Sequence, residues 1–271
     1  MKEIFVPLPE RGHADGTKVP AGRLCVTRVG QGTPMVLLHG FPLSARMWKN
    51  QWESLADQYE FIAPDLRGFG KSSKLVAGWQ VDDFARDISE MLDALEIPSA
   101  IICGLSLGGY IAFEFLAQFK DKVSGLVLCN TRANADEDSI ARGRRLMAER
   151  VAREGTWFVH GGMVPKLLAQ ENRSRKFDPD VPSFFEVLTP DSIATTQLAM
   201  AERRDFTESL STMDVPVHVI AGEGDIITRA NEMQQMASEI PSSQFTLITG
   251  AGHLTPIENP SEFNQALSKG F

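Results

Sequence analysis

Short apolar runs alternate with longer amphipathic stretches along most of the chain. Gly22–Val29, Met35–Leu38, Phe61–Pro64, Ala100–Cys103, Val123–Cys129, Val217–Ala221 and Phe245–Ile248 read as strands. Several are unbroken apolar runs, the pattern of a parallel strand covered on both faces. Between them Phe84, Ile88, Met91, Leu92 and Leu95 recur at helical spacing, with Asp82 or Asp83 near the start and Pro98 past the end. A second helix starts near Ser106 and carries Tyr110, Phe113, Phe115 and Leu116. A third covers Ile226–Ile240 and stops at Pro241. Strands alternating with helices predict an α/β fold, a mostly parallel central sheet flanked by helices and joined by right-handed crossovers.

Residues 131–210 break this rhythm. They lack clear strands, are rich in helix formers, and carry Gly161-Gly162 and four prolines, Pro165, Pro179, Pro182 and Pro190. Long insertions with their own helices often serve as lids over active sites. The expected organisation is one sheet domain from 1–130 and 211–271, interrupted by a helical cap over 131–210 that is not expected to fold alone.

Composition narrows the function classes. The chain has 271 residues, 43% of them hydrophobic and 23% charged, with a formal net charge of -8. The hydrophobic share excludes disorder as the dominant state. The acidic balance argues against nucleic acid as a partner, because phosphate neutralisation needs clustered cations. The densest basic cluster, Arg142, Arg144 and Arg145, is flanked by Glu137, Asp138 and Glu149 and reads as a solvated helix face. Cys25, Cys103 and Cys129 have neither metal-ligand nor redox-motif spacing and sit among apolar residues, as buried thiols do. The segment Met1–Pro7 has no apolar signal core, and no apolar run approaches the roughly 18 residues of a membrane span. A cytoplasmic protein is expected, with no membrane partner. A homo-oligomer stays open.

The candidate chemistry starts at Gly104-Leu105-Ser106-Leu107-Gly108. A G-x-S-x-G match is weak alone, but this one follows an apolar strand and opens a helix. A sharp strand-to-helix turn there lifts the Ser106 side chain to the carboxyl end of the sheet. The helix N-terminus supplies oriented N–H groups for a developing oxyanion. A serine nucleophile needs a base, and the base needs an acid. His253 follows the strand Phe245–Ile248 and lies on the same rim as Ser106. Of the other histidines, His13 lies in an N-terminal loop, His160 in the cap, His39 just after a strand, and His218 inside one as a satisfied core imidazole. Asp225 follows Val217–Ala221 and is the acid of choice, with a helix-capping aspartate as the structural alternative. Glu223 is weaker, and Asp214 lies at the wrong end of its strand.

These motifs, with His39-Gly40-Phe41-Pro42, Asp65–Ser72 and Gly252-His253 followed by Glu258-Asn259-Pro260, resemble the α/β-hydrolase superfamily, in its serine carboxylesterase and lactonase-like branch. The resemblance implies the α/β-hydrolase fold with the cap inserted after the sixth strand and a Ser106–His253–Asp225 triad. It also implies an oxyanion hole from the backbone N–H groups of Phe41 and Leu107, and architectural roles for His39, Arg67 and the Asp65–Ser72 loop. Ser106 stands where epoxide hydrolases and haloalkane dehalogenases carry an aspartate, and Leu128–Arg132 is similar to a segment of enol-lactonase-like members. The expected activity is hydrolysis of carboxylic esters through an acyl-enzyme on Ser106, without metal or organic cofactor. Lactonase or cofactor-free perhydrolase chemistry on the same residues, and a non-enzymatic small-molecule binder on this fold, are the alternatives. Trp157, Phe158, Met163, Leu167, Phe184 and Leu188 are the candidates for an apolar substrate pocket, with cap core as their competing role. Arg132 and His160 are candidates for a polar contact, with surface placement as theirs. The acidic balance fits a neutral ester or lactone, which needs no basic pocket.

Overall fold

The computed structural model describes residues 1–12, 18–185 and 188–271. Its sheet has eight strands: β1 (Lys2–Leu8), β2 (Gly22–Gly30), β3 (Thr33–Leu38), β4 (Tyr59–Pro64), β5 (Ala100–Leu105), β6 (Val123–Cys129), β7 (Val217–Gly222) and β8 (Gln244–Ile248). Their spatial order is β1-β2-β4-β3-β5-β6-β7-β8. Only β2 runs antiparallel to its neighbours. The unbroken apolar runs occupy the centre, as their pattern predicts: β5 and β7 are buried along their whole length. Strand β1 went unpredicted because it is an edge strand with Pro7 near its end. Only Val6 and Leu8 are buried, and Phe5 is exposed. With β1 counted, the cap follows the sixth strand.

Alternation along β3 feeds two cores. Val36 and Leu38 pack on one face with Phe84, Ile111 and Met233. Met35 and Leu37 pack on the other with Trp52, Phe263 and Leu267. The first face is covered by α2 (Val81–Ala94), α3 (Leu107–Gln118) and α7 (Ala230–Glu239), the second by α1 (Lys49–Leu55) and α8 (Pro260–Gly270). Helix α2 begins in a capping box in which the Asp83 carboxylate accepts the Gln80 N–H at 2.9 Å. Helix α7 starts at Ala230 and not near Ile226, because Asp225 organises the preceding residues into a turn. All three cysteines are buried and reduced, with the Cys103 and Cys129 sulfurs 4.0 Å apart.

Three helices build the cap: α4 (Asp138–Glu154), α5 (Val159–Leu167) and α6 (Pro190–Ala201). The chain after α5 is pressed onto the sheet's rim. A Cβ on Gly252 would lie 2.4 Å from the Ala169 nitrogen, so this approach requires glycine. Among the described residues no helix is long and apolar enough to cross a membrane.

Candidate active site

Ser106 joins β5 to α3 at φ 55° and ψ -111°, in the left-handed region that costs a non-glycine residue about 1–3 kcal/mol. The surroundings hold it there. Its N–H donates to the Cys129 carbonyl at 3.0 Å, and its own carbonyl accepts from Gly109 N at 2.9 Å and the Thr131 hydroxyl at 2.9 Å. The flanking glycines are steric requirements: a Cβ on Gly104 would sit 2.2 Å from the Gly108 oxygen, and one on Gly108 would sit 2.2 Å from the Leu38 oxygen.

The loop after β3 runs alongside. A Cβ on Gly40 would come 3.5 Å from the Ser106 Cβ, so the Gly40-Phe41 backbone lies against the serine. His39 fixes this loop from below. Its Nε2 accepts the Leu66 N–H at 3.0 Å, which makes Nδ1 the donor to the Gly40 carbonyl at 3.0 Å. Burial pushes the His39 pKa down, which keeps it neutral and suited to that paired role. Asp65 accepts from the backbone N–H groups of Ala45 and Lys71, each at 2.9 Å, and Arg67 forks onto buried Asp87 at 2.9 and 3.3 Å. All three hold loops rather than face the cavity.

His253 and Asp225 meet on the rim, both buried, with Nδ1 2.7 Å from Oδ2. A carboxylate partner makes Nδ1 the proton donor and leaves Nε2 as the acceptor in the neutral ring. Asp225 also accepts from Ile227 N at 2.7 Å, Thr228 N at 3.1 Å, the Thr228 hydroxyl at 2.5 Å and Asn130 Nδ2 at 2.8 Å. Burial alone would raise its pKa. The charge and hydrogen bond of His253, with the Thr228 and Asn130 donors, outweigh burial and hold it down to about 2. Asp225 therefore caps the turn before α7 and also bonds His253, so the two roles weighed for it coexist.

Two residues at this rim lie in motifs quoted from the sequence but were given no role there. Asn130 adopts φ 43° at the end of β6. It donates to Asp225 and, at 3.2 Å, to the Gly252 carbonyl, while its Oδ1 accepts from the Thr255 hydroxyl at 2.8 Å. Glu258 is buried and ties the His253 loop to the cap. Its Oε1 accepts from Gly252 N at 2.9 Å and Leu254 N at 3.2 Å, and its Oε2 from Ala169 N and Asn172 Nδ2, each at 2.8 Å. The available signal for Asn130 was a polar Asn-Thr pair directly after an unbroken apolar strand.

The remaining candidates lie elsewhere. His218 is buried with Nε2 2.9 Å from the Thr246 hydroxyl, but its Nδ1 has no partner among the described residues, so only one side of this imidazole is satisfied there. His160 is exposed against the Phe185 ring. His13 lies outside the described residues. Glu223 is exposed and accepts from Gly250 N at 3.2 Å, and Asp214 pairs with Lys120 at 2.6 Å.

Ser106 and His253 open into one cavity of about 450 Å³, a volume suited to a small molecule. Phe41, Met163 and Leu167 line it as well. Trp157, Phe158, Phe184 and Leu188 do not. Trp157 is 75% exposed, Phe158 lies under the Arg150 guanidinium, Phe184 is buried in the second core beside Arg46, and Leu188 packs half-buried on the first core. The Leu107 side chain is fully buried in the first core, so its backbone N–H, not its side chain, is the part available to the site. The cap's apolar wall comes instead from Ile140 and Met147 on α4 and Met200 on α6.

The wall also carries Arg132, Arg144 and Lys166 against the single carboxylate Asp136. The acidic balance fits a neutral substrate that needs no basic pocket, yet this wall holds three cations. Nor is Arg144 a solvated surface residue: it turns inward to Asp136 and to Gln197 Oε1 at 3.3 Å. Arg132 is half-buried between the cavity and the Ile227 carbonyl, to which it donates.

Comparison with known proteins agrees with this architecture. A family model described as the alpha/beta hydrolase fold matches residues 33–260. The chain is 30% identical over 232 residues to 3-oxoadipate enol-lactonase 2 of Acinetobacter baylyi, covering 82% of each protein. A thermophilic esterase from Thermogutta terrifontis superposes with a TM-score of 0.90 at 35% identity, covering 99% of this chain and 97% of that one. The enol-lactonase of Burkholderia xenovorans shares the fold, at 21% identity and a TM-score of 0.84 over 96% and 98% of the two chains. With the strand order, the strained serine turn and a family match over most of its length, the chain belongs to the α/β-hydrolase fold family.

Proposed function

We propose that the protein is a serine hydrolase that cleaves carboxylic esters through an acyl-enzyme on Ser106. His253 Nε2 takes the Ser106 proton as Oγ bonds to the ester carbonyl carbon. The carbonyl oxygen becomes an oxyanion held by the Phe41 and Leu107 N–H groups, where the loss of one donor typically costs about 100- to 1000-fold. The tetrahedral species collapses, the alkoxide leaves, and His253 gives it the proton. Water then adds with the same base, the Oγ–carbon bond breaks, and the acid is released with Ser106 reprotonated. Asp225 stays ionised throughout, fixes the His253 tautomer and stabilises the imidazolium. No electron donor or acceptor enters this balance.

The observation that carries the proposal is the His253 Nδ1–Asp225 hydrogen bond of 2.7 Å behind a histidine that shares its cavity with a serine held at positive φ. The test is hydrolysis of an acyl ester series from acetate upward, with fluorophosphonate labelling of Ser106 and the Ser106→Ala variant. Activity should vanish with the label. Hydrolysis that persists in Ser106→Ala overturns the assignment. The 30% identity to an enol-lactonase favours a second form of the same chemistry, in which the leaving alcohol stays tethered as a lactone. A lactone that beats its matched open-chain ester in kcat/KM selects that form, and the reverse order rejects it. Three buried, reduced cysteines suit a reducing compartment, the cytoplasm by default.

A further inference from the structure

We infer that the cavity beside Ser106 recognises esters or lactones whose body carries a carboxylate, bound by Arg144 with Lys166 and Arg132 at its flanks, an inference that rests on the serine-hydrolase assignment above. The chain as a whole carries a net charge of -8, yet three separate segments bring cations to this one cavity. Arg132 comes from the turn after β6, Arg144 from α4 and Lys166 from α5.

The single carboxylate in the wall does not cancel them. Asp136 has a buried side chain clamped between Arg144 and Arg203, the latter at 2.6 Å, so the trio retains one positive charge. Arg203 is turned away from the cavity and does not line it: it donates to the Met200 carbonyl at 3.0 Å and the Asn134 carbonyl at 2.8 Å, and its guanidinium lies over the Tyr110 ring. Arg144 is not. Its Nε and Nη1 are used, and its Nη2 makes no hydrogen bond among the described residues. Asp136 and Gln197 thus hold the guanidinium plane in the cavity wall with one edge unsatisfied. Lys166 makes no ion pair among the described residues, and the nearest carboxylate to Arg132 is half-exposed Glu232 at 3.6 Å.

Phe41, Met147, Met163, Leu167 and Met200 also line the cavity; they lower the local dielectric and strengthen attraction to an anion. A planar carboxylate fits a guanidinium better than a point acceptor does. An anion there also compensates a cation cluster that otherwise repels itself. Asp225 does not line the cavity: its carboxylate lies behind His253, turned to His253, Thr228 and Asn130.

The experiment compares monomethyl glutarate with methyl valerate, which differ by a carboxylate in place of a methyl group, following acid release by pH-stat. The expected kcat/KM ratio favours the anionic ester by about tenfold or more. Arg144→Gln and Lys166→Gln should each lower that ratio by about threefold to tenfold. Arg153→Gln, exposed on the same helix and paired with Glu154, should leave it unchanged. Lys166→Gln guards against a folding artefact, since it strips no buried partner, whereas Arg144→Gln removes one from Asp136. A second arm needs no turnover: glutarate binding to Ser106→Ala by isothermal titration, lost when Arg144→Gln is added. A wild-type preference for methyl valerate, a ratio that both glutamine variants leave in place, or glutarate failing to bind Ser106→Ala overturns the anion site. Glutarate binding without hydrolysis of any ester overturns the serine-hydrolase assignment and leaves the anion site standing.

Discussion

The rim of the sheet and the cap face each other across one cavity, and they are built on different principles. Every chemical group on the rim sits just past the end of a parallel strand: Phe41 after β3, Ser106 after β5, Asn130 after β6, Asp225 after β7, His253 after β8. The ladder pairs fix the strand ends, and backbone hydrogen bonds fix the turns, so chain position determines place in space. The cap has no such frame. Ile140, Arg144 and Met147 reach the cavity because they share one face of α4, and which face turns inward depends on how α4 packs against α6. A rim site tolerates little change, whereas a cap site can be reshaped without dismantling the chemistry beneath it.

The largest expected effect breaks the rim. Asp225→Asn keeps the shape but offers His253 an amide in place of a carboxylate, which releases the tautomer that Nδ1–H donation fixes. Turnover at neutral pH should fall by about 10⁴-fold. A loss below about tenfold would mean that His253 does not depend on Asp225.

Asn130→Gly comes next. Glycine accepts the φ of 43°, so the change removes the amide without adding backbone strain. A hydrogen bond to a charged group contributes about 1.5–3 kcal/mol, so kcat should drop by about 10- to 100-fold with KM little changed. A merely structural Asn130 would leave kcat intact. The variant also carries a pH signature. The folded-state pKa of Asp225 is depressed, so the stability it contributes is present above the ordinary carboxylate range and is lost as pH falls through about 2. Removing one donor weakens that depression. Acid unfolding, followed by circular dichroism, should therefore begin at higher pH in Asn130→Gly than in the wild type.

How far the sequence revealed these two regions follows from the same difference. The strands were legible because burial on both faces leaves unbroken apolar runs, and Ser106, Asp225 and His253 were legible as rim positions because each follows such a run. Edge strand β1 was not, since only Val6 and Leu8 are fully buried and Ile4 packs half-buried on the core. The start of α7 was misjudged because the Asp225 turn contains Ile226 and Ile227, which extend an apolar pattern without being helical. In the cap, size and apolarity pointed to Trp157 and Phe184, but one faces solvent and the other fills the second core. The better signal was spacing: Ile140, Arg144 and Met147 recur at helical intervals, with the arginine on the same face as the apolar pair.

Two buried histidines extend the contrast within the sheet domain. His253 has a carboxylate partner, while His218 has only the Thr246 hydroxyl, and burial pushes its pKa down to about 4. Below pH 6.5 the unfolded chain takes up a proton that the folded one resists, so this group makes stability fall as pH drops from 6.5 towards 4. The decline attributable to it is about 1–3 kcal/mol. In His218→Leu, the dependence of Tm on pH across that window should flatten, whatever the variant does to Tm at pH 7. An unchanged slope would assign the acid sensitivity to other groups.

The smallest effect sharpens the comparison from the cap side by pairing Met147→Ala with Trp157→Ala. Met147 lines the cavity about two helical turns along the inward face of α4 from Ile140, and shortening it enlarges the space above Ser106. Burying one further methylene of a longer acyl chain is worth about 0.8 kcal/mol, so the kcat/KM preference should shift towards longer esters by about fourfold for each methylene that gains room. Trp157 is the larger residue, but with 75% of its surface exposed it has little to lose. Trp157→Ala should leave the chain-length profile unchanged and shift stability by no more than about 0.5 kcal/mol, as surface substitutions do. If Trp157→Ala moved the profile and Met147→Ala did not, the cap would have to close over Ser106 on a different face of its helices, and Arg144 on the inward face of α4 would lose its place beside the substrate.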